Sequence, residues 1–308
     1  MSGLTITGWG TALPERVVTN ADLAETLDTS DEWIVERTGI RERRVGGTTS
    51  ELAIAAGRAA LDKAGLEGSD IDVLLLATTT GDRIVPATAP AIQDALGISG
   101  GAVDLNAACS GFVYGLVLAN GLLATGARRV LLIGAETLSK ITDWSDRSNA
   151  ILFGDGAGAI VIEATEDDGD LLGWDLGSDG SATHILKCEV GGTIEMDGKE
   201  VFRRAVRVMV DSSKASLERA GLSIEDIDLV VPHQANLRII HSACQKLGID
   251  QERASIVIDR YGNTSSASIP LALVDAVDAG RISVGDTLLL TGFGAGMTWA
   301  SAVLRWSR

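Results

Sequence analysis

Cys109 is the residue whose surroundings best suit nucleophilic chemistry. The stretch Val103-Asp104-Leu105-Asn106-Ala107-Ala108-Cys109-Ser110-Gly111-Phe112 is a short apolar run followed by small residues, and apolar side chains recur at helical spacing from Phe112 to Leu123. The pattern predicts a strand-to-helix corner at Cys109. At a helix start, unpaired N–H groups and the macrodipole stabilise anions, so a thiol there is expected to lose its proton more readily and attack better. A buried structural cysteine is the commoner fate of a free thiol. Position alone leaves both uses open.

Two partners lie far along the chain. Asp228 to Val231 reads as a strand running into Pro232-His233-Gln234-Ala235-Asn236, and Ile256-Val257-Ile258 as a strand entering Tyr261-Gly262-Asn263-Thr264-Ser265 and then a helix. Alone, His233 is an ordinary loop histidine and Asn263 an ordinary turn residue. Ligand sites of parallel α/β sheets gather at the carboxyl ends of strands, so Cys109, His233 and Asn263 are expected to converge there.

The elements that must hold them repeat. Ala64-Gly65-Leu66 followed by Asp70-Ile71-Asp72-Val73-Leu74 returns as Ala220-Gly221-Leu222 followed by Asp226-Ile227-Asp228-Leu229-Val230, an offset of 156 residues. Leu96-Gly97-Ile98 returns as Leu247-Gly248-Ile249, and Val130 to Gly134 has a counterpart in Thr287 to Gly292. Two similar α/β units with mostly parallel sheets follow from the shared order. The acidic run Glu166 to Asp170 is the expected seam, giving halves 1–168 and 169–308. Helices are predicted over Asp31 to Thr38 behind a Ser30 cap, Glu51 to Ala64 behind Ser50, Thr88 to Leu96, and Glu200 to Ala220, with Asn20 capping another short helix. Gly154-Asp155-Gly156-Ala157-Gly158 leads into a strand with no phosphate-loop lysine after it, so it suits close backbone approach.

Composition narrows the function. A net charge of −16 argues against a nucleic-acid partner, and an acidic partner would need a local basic patch. No apolar run is long enough to cross a bilayer and no leader pattern opens the chain, so a cytoplasmic protein is expected. The three cysteines, Cys109, Cys188 and Cys244, are odd in number and scattered, which suits reduced thiols. His184 with Cys188 and His241 with Cys244 have helical ligand spacing, but nothing completes a zinc site, and no metal is expected.

Several further stretches, taken in order, resemble the ketoacyl synthase III family of thiolase-fold condensing enzymes over essentially the whole chain. They are Thr29-Ser30-Asp31-Glu32-Trp33-Ile34 with Arg37-Thr38-Gly39-Ile40, Ala108 to Phe112, Phe153 to Gly158, Pro232 to Asn236, Gly262 to Ser265, and Gly292-Phe293-Gly294-Ala295-Gly296. The resemblance implies a homodimer of thiolase-like α/β subunits, two duplicated halves in a five-layered αβαβα arrangement. Its reaction joins an acyl-CoA primer to malonyl-acyl carrier protein with loss of carbon dioxide, through an acyl-Cys intermediate and without a cofactor. Cys109 would carry the acyl group, and His233 Nε2–H and the Asn263 amide would support the enolate. The backbone N–H groups of Cys109 and Ala295 would form the oxyanion hole.

By the same resemblance Trp33 and Arg147 would sandwich the adenine of coenzyme A, with Arg37 near its phosphates. Arg203 and Arg238 would engage the carrier protein or the coenzyme, and by charge Arg203, Arg204, Arg207 and Lys246 could supply the local basic patch on which an acidic carrier docks. The chain also departs from the pattern. Val85 stands where acetyl-primed members carry Phe, which implies a wider acyl pocket near the dimer interface and a longer or branched primer. The segment Ser181 to Met196 is short, and Ala295 replaces a glycine. A Cys-His-Asn hydrolase shares the residue order but not the sequence around Cys109. A thiolase would need a second cysteine in the closing turn. An acyltransferase of secondary metabolism stays open.

Overall fold

Two mixed sheets carry the apolar strands in a computed structural model that describes residues 3–308. The first orders Gly3–Ala12, Asp155–Thr165, Arg129–Thr137, Val73–Ala77 and Gly101–Leu105. The second orders Leu171–Ser178, Thr298–Arg305, Thr287–Gly294 and Leu229–Pro232. Taken in chain order, the four strands of the second sheet occupy the same places as their counterparts in the first. The fifth place holds only an isolated parallel bridge between Val230 and Ala254.

That bridge corrects one expectation. Ile256-Val257-Ile258 is not a strand. The backbone N–H groups of Val257 and Ile258 donate to the side-chain oxygen of Gln234 at 3.0 and 3.2 Å, and the short helix Ile258–Tyr261 starts at once. A buried side-chain amide has taken the donors that a ladder would use. The sheets are also less parallel than expected: Val73–Ala77 lies parallel to both its neighbours, and Leu229–Pro232 parallel to Thr287–Gly294. The outer strands of each motif pair antiparallel, and of these pairs Thr287–Gly294 and Thr298–Arg305 are joined by a short turn.

Helices complete five layers. Thr49–Ala64 and Ala89–Ala95 cover the outer face of the first sheet, and Gly198–Ala220 and Leu237–Leu247 cover the second. Gly111–Ala124 and Ser268–Asp278 lie between the sheets. The Gly111–Ala124 helix is apolar nearly all round, as an element covered on both sides must be. Ser30 caps Asp31–Thr38 as expected, accepting from Trp33 N at 3.2 Å. Two other caps move by one or two residues. Thr19, not Asn20, caps Asn20–Ala24 through a reciprocal pair with Asp22, and Thr48, not Ser50, does the same with Glu51. No helix among the described residues is long and apolar enough to cross a membrane.

Phe112, Leu116, Ile269 and Leu273 in the middle layer are buried against strand residues of both sheets. Leu116 is fully enclosed. Leu116→Ala is expected to cost about 2–5 kcal/mol, read from the midpoint of chemical denaturation at unchanged slope.

Candidate active site

Cys109 sits in the tight turn Ala108–Ser110, between the Gly101–Leu105 strand and the Gly111–Ala124 helix. The turn is built locally. Asn106 Oδ1 accepts the N–H of Ala108 at 3.2 Å, and Ala108 takes a left-handed φ of 47°. The second half repeats this: Asn263 Oδ1 accepts the N–H of Ser265 at 2.9 Å, and Ser265 also has φ 47°. Among the described residues these two are the non-glycine residues with positive φ. Such strain persists only where the surroundings enforce it. Because its oxygen is used in the turn, Asn263 has its NH₂ left to donate.

One cavity of about 750 Å³ has Cys109, His233, Asn263 and Phe293 among its lining residues. The sequence-predicted trio therefore comes together. The closing turn fits tightly against it. A side chain at Gly294 would lie 2.6 Å from the backbone nitrogen of Cys109, and one at Gly292 would lie 3.2 Å from His233 Cβ. Ala295 follows Gly294 in that turn, with its carbonyl accepting from Thr298 Oγ1 at 3.1 Å.

Burial sets the protonation states. It pulls the His233 pKa down to about 3, so the imidazole is neutral at neutral pH. His233 Nδ1 lies 2.6 Å from Ser268 Oγ, and the Phe293 ring meets the imidazole edge-on at 5.5 Å. Burial also pushes the Cys109 thiol up to about 12, helped by the nearby Glu136 carboxylate and opposed by the Ser265 hydroxyl. This corrects the expectation of an easily ionised thiol. Cys109 does stand at a helix start, but its partial exposure is into the cavity rather than bulk water, and enclosure is the largest cause of its shift.

Trp33, Arg37 and Arg238 also line the cavity. The guanidiniums of Arg37 and Arg147 each lie 4.7 Å from the Trp33 ring centroid. Arg147 is held there by the Asp28 carbonyl at 2.7 Å. Arg147 thus stacks on Trp33 itself, so an adenine entering between them must displace it. Arg203, Arg204 and Arg207 lie apart from the cavity, lining a separate recess of about 200 Å³. Glu200 binds both Arg203 and Arg204, at 2.6 and 2.7 Å, and these pull its carboxyl down to about 2. The basic patch is weaker than the arginine count suggests. Val85 is 82% exposed and does not line the cavity of its own chain. Among the described residues no three His, Cys, Asp or Glu side chains gather as metal ligands.

Sequence reasoning missed the supports. Gln234 is fully buried, donating to Pro232 O and Ser255 O while it receives Val257 and Ile258. Glu136 is fully buried among the hydroxyls of Thr78, Thr79, Thr80 and Ser266. A polar residue in an otherwise apolar strand, as Glu136 is after Val130 to Ala135, was the available signal. Ser268 offered none.

Because the Cys109 thiol is raised, its alkylation by iodoacetamide is expected to climb with pH, roughly tenfold per unit well below its pKa, without levelling below pH 9. Mass mapping of the Cys109 peptide checks this. A plateau near pH 7 would mean that the helix start outweighs burial.

Known proteins bear on the same residues. Residues 103–180 match the family described as 3-oxoacyl-[acyl-carrier-protein (ACP)] synthase III, and residues 217–306 match its C-terminal region. A β-ketoacyl-[acyl-carrier-protein] synthase III of Roseiflexus sp. (strain RS-1) is 50% identical, with 98% of each chain covered. One from Bacillus anthracis is 48% identical, covering 98% of this chain and 99% of its own. The crystal structure of 3-oxoacyl-[acyl-carrier-protein] synthase III from Aquifex aeolicus VF5 superposes with a TM-score of 0.97 at 44% identity, covering 99% of this chain and 100% of that one. With half its residues shared along nearly its full length and a thiolase-like backbone in common, the chain belongs to the β-ketoacyl-[acyl-carrier-protein] synthase III family.

Proposed function

We propose that this chain condenses an acyl-CoA primer with malonyl-acyl carrier protein to give 3-ketoacyl-acyl carrier protein and carbon dioxide, the step that starts fatty acid synthesis. The observation that carries the reading is one thiol and two neutral donors from different halves lining a single cavity. Cys109 Sγ attacks the primer carbonyl, the bond to the coenzyme A sulfur breaks, and the thiol proton leaves with coenzyme A. A thiol that is not ionised at rest is compatible with this balance.

Malonyl thioester then loses carbon dioxide, and the bonding pair moves onto its thioester oxygen. His233 and Asn263 donate to that oxygen. The enolate carbon attacks acyl-Cys109, whose oxyanion is held by the N–H groups of Cys109 and Ala295. Collapse releases the Cys109 sulfur, which takes up one proton from solvent. A neutral imidazole suits a donor, since it stabilises the enolate without giving up its proton. No base is required, because decarboxylation supplies the carbanion. The reaction calls for no cofactor, both thioesters being substrates.

Trp33, Arg37 and Arg147 form the proposed coenzyme A site, with Arg147 swinging off Trp33 to admit the adenine. Arg207 and Arg238, with Arg203, form the proposed carrier-docking face. Arg207 is more loosely paired than Arg203, its acidic partner Asp211 standing 3.6 Å away against 2.6 Å for Glu200 on Arg203. A homodimer is supported by the unpaired edge of the Gly101–Leu105 strand and by the exposed apolar side chains of Ile84, Val85, Val103 and Leu118. In that assembly Val85 would border the partner's acyl pocket and favour a primer longer or more branched than acetyl. We assign the nucleophile to a half spanning 1–168 and the donors to a half spanning 169–308, in a protein expected to work in the cytoplasm.

Mass spectrometry after incubation with a panel of acyl-CoA thioesters is expected to find the acyl group on Cys109, and malonyl-acyl carrier protein should then discharge it with release of carbon dioxide. His233→Ala and Asn263→Ala should each lower carbon dioxide release about 10²-fold or more while Cys109 still acylates. Hydrolysis of the acyl enzyme without carbon dioxide would instead point to a hydrolase. Trp33→Ala should raise the KM for acyl-CoA about tenfold or more and leave the malonyl step nearly unchanged, as initial-rate kinetics with each substrate varied would reveal.

A further inference from the structure

We propose that Ser268 fixes which nitrogen of His233 carries the proton, and so makes His233 a hydrogen-bond donor into the cavity. Ser268 opens the Ser268–Asp278 helix of the middle layer and is fully buried, as is His233 to within 1%. Its Oγ has two neighbours. One is His233 Nδ1 at 2.6 Å, and the other is the backbone N–H of Gln234 at 3.3 Å.

The hydrogen count decides between the two arrangements. The Gln234 N–H has only a hydrogen to offer, so Ser268 Oγ accepts it and keeps its own hydrogen to give. If Nδ1 carried the imidazole proton, it would also point at Oγ, and the serine hydrogen would be buried without an acceptor. If Ser268 donates to Nδ1, every group in the chain Gln234 N–H, Ser268 O–H, His233 is satisfied. The proton of the neutral ring then sits on Nε2. Nothing in the sequence near His233 supplies this partner, which comes from 35 residues away.

The device parallels that at Asn263, where the N–H of Ser265 occupies the amide oxygen and leaves the NH₂ free. Both donors are set by filling their accepting ends. Ser268 is thus a positioning residue acting through His233, and its catalytic weight rests on the reading that His233 supports the enolate.

The test uses the full chain labelled with nitrogen-15, with the imidazole nitrogens read by long-range correlation to the ring protons. In the wild type His233 is expected with Nε2 protonated and Nδ1 bare, and in Ser268→Ala with that preference lost. Carbon dioxide release from malonyl thioester should fall about 10- to 100-fold in Ser268→Ala, acylation of Cys109 should persist, and Ser268→Thr should restore both tautomer and rate. A wild-type ring protonated on Nδ1 overturns the proposal, and needs no variant to fold. So does a Ser268→Ala enzyme that keeps the Nε2 proton, whether its rates are unchanged or fall equally in both half-reactions. Undiminished carbon dioxide release by His233→Ala would remove the enolate reading, while the tautomer measurement would still stand on its own.

Discussion

Close backbone approach between two copies of one turn is the constraint on which the site depends. The turns at Ala108–Ser110 and Ser265–Ala267 pack on each other where the middle helices begin. Contact there is too tight for larger residues. A side chain at Gly134 would collide with the Ser266 carbonyl, and one at Gly111 would lie 3.3 Å from Ala77 Cβ. Ser266 Oγ, 2.8 Å from Ala77 O and 2.9 Å from Glu136 Oε1, ties the second turn to the first sheet. The left-handed residues Ala108 and Ser265 are held by this packing, and Cys109 and Asn263 are aimed by it.

Within that frame the site is electrically quiet. The chain carries a net charge of −16, yet the proposed reacting groups, a thiol, an imidazole and a carboxamide, are without charge at neutral pH. Removing water strengthens the interaction of each fixed donor with a developing oxyanion. A cationic imidazole in the same place would hold the malonyl carboxylate by charge and oppose loss of its carbon dioxide. On the proposed assignment of roles, burial, which raises the thiol and lowers the imidazole, serves the second half of the reaction at some cost to the first.

The candidate residues were easier to find in the sequence than their scaffolding. Cys109, His233 and Asn263 follow apolar runs or small-residue turns that periodicity exposes, and the 156-residue offset fixed their order in two halves. Ile256-Val257-Ile258 misled because an apolar triplet has the composition of a strand, and only a buried Gln234 from a distant loop diverts its donors. The thiol's acidity was misjudged for a similar reason. Local sequence reports the helix start, whereas the depth of enclosure depends on residues far along the chain. Ser268 was invisible because a serine at a helix start is ordinarily a cap, and its ring partner is set by tertiary packing alone.

The shared inner layer also limits how far the ancestral duplication can be undone. Helices Gly111–Ala124 and Ser268–Asp278 each touch strands of both sheets, and Tyr114 in the first reaches the Gly177 carbonyl of the second sheet at 2.8 Å. Neither repeat owns its inner apolar surface, so a chain divided at the seam would leave two fragments each with a wet, unfinished face. The two copies are therefore expected to unfold as one cooperative body.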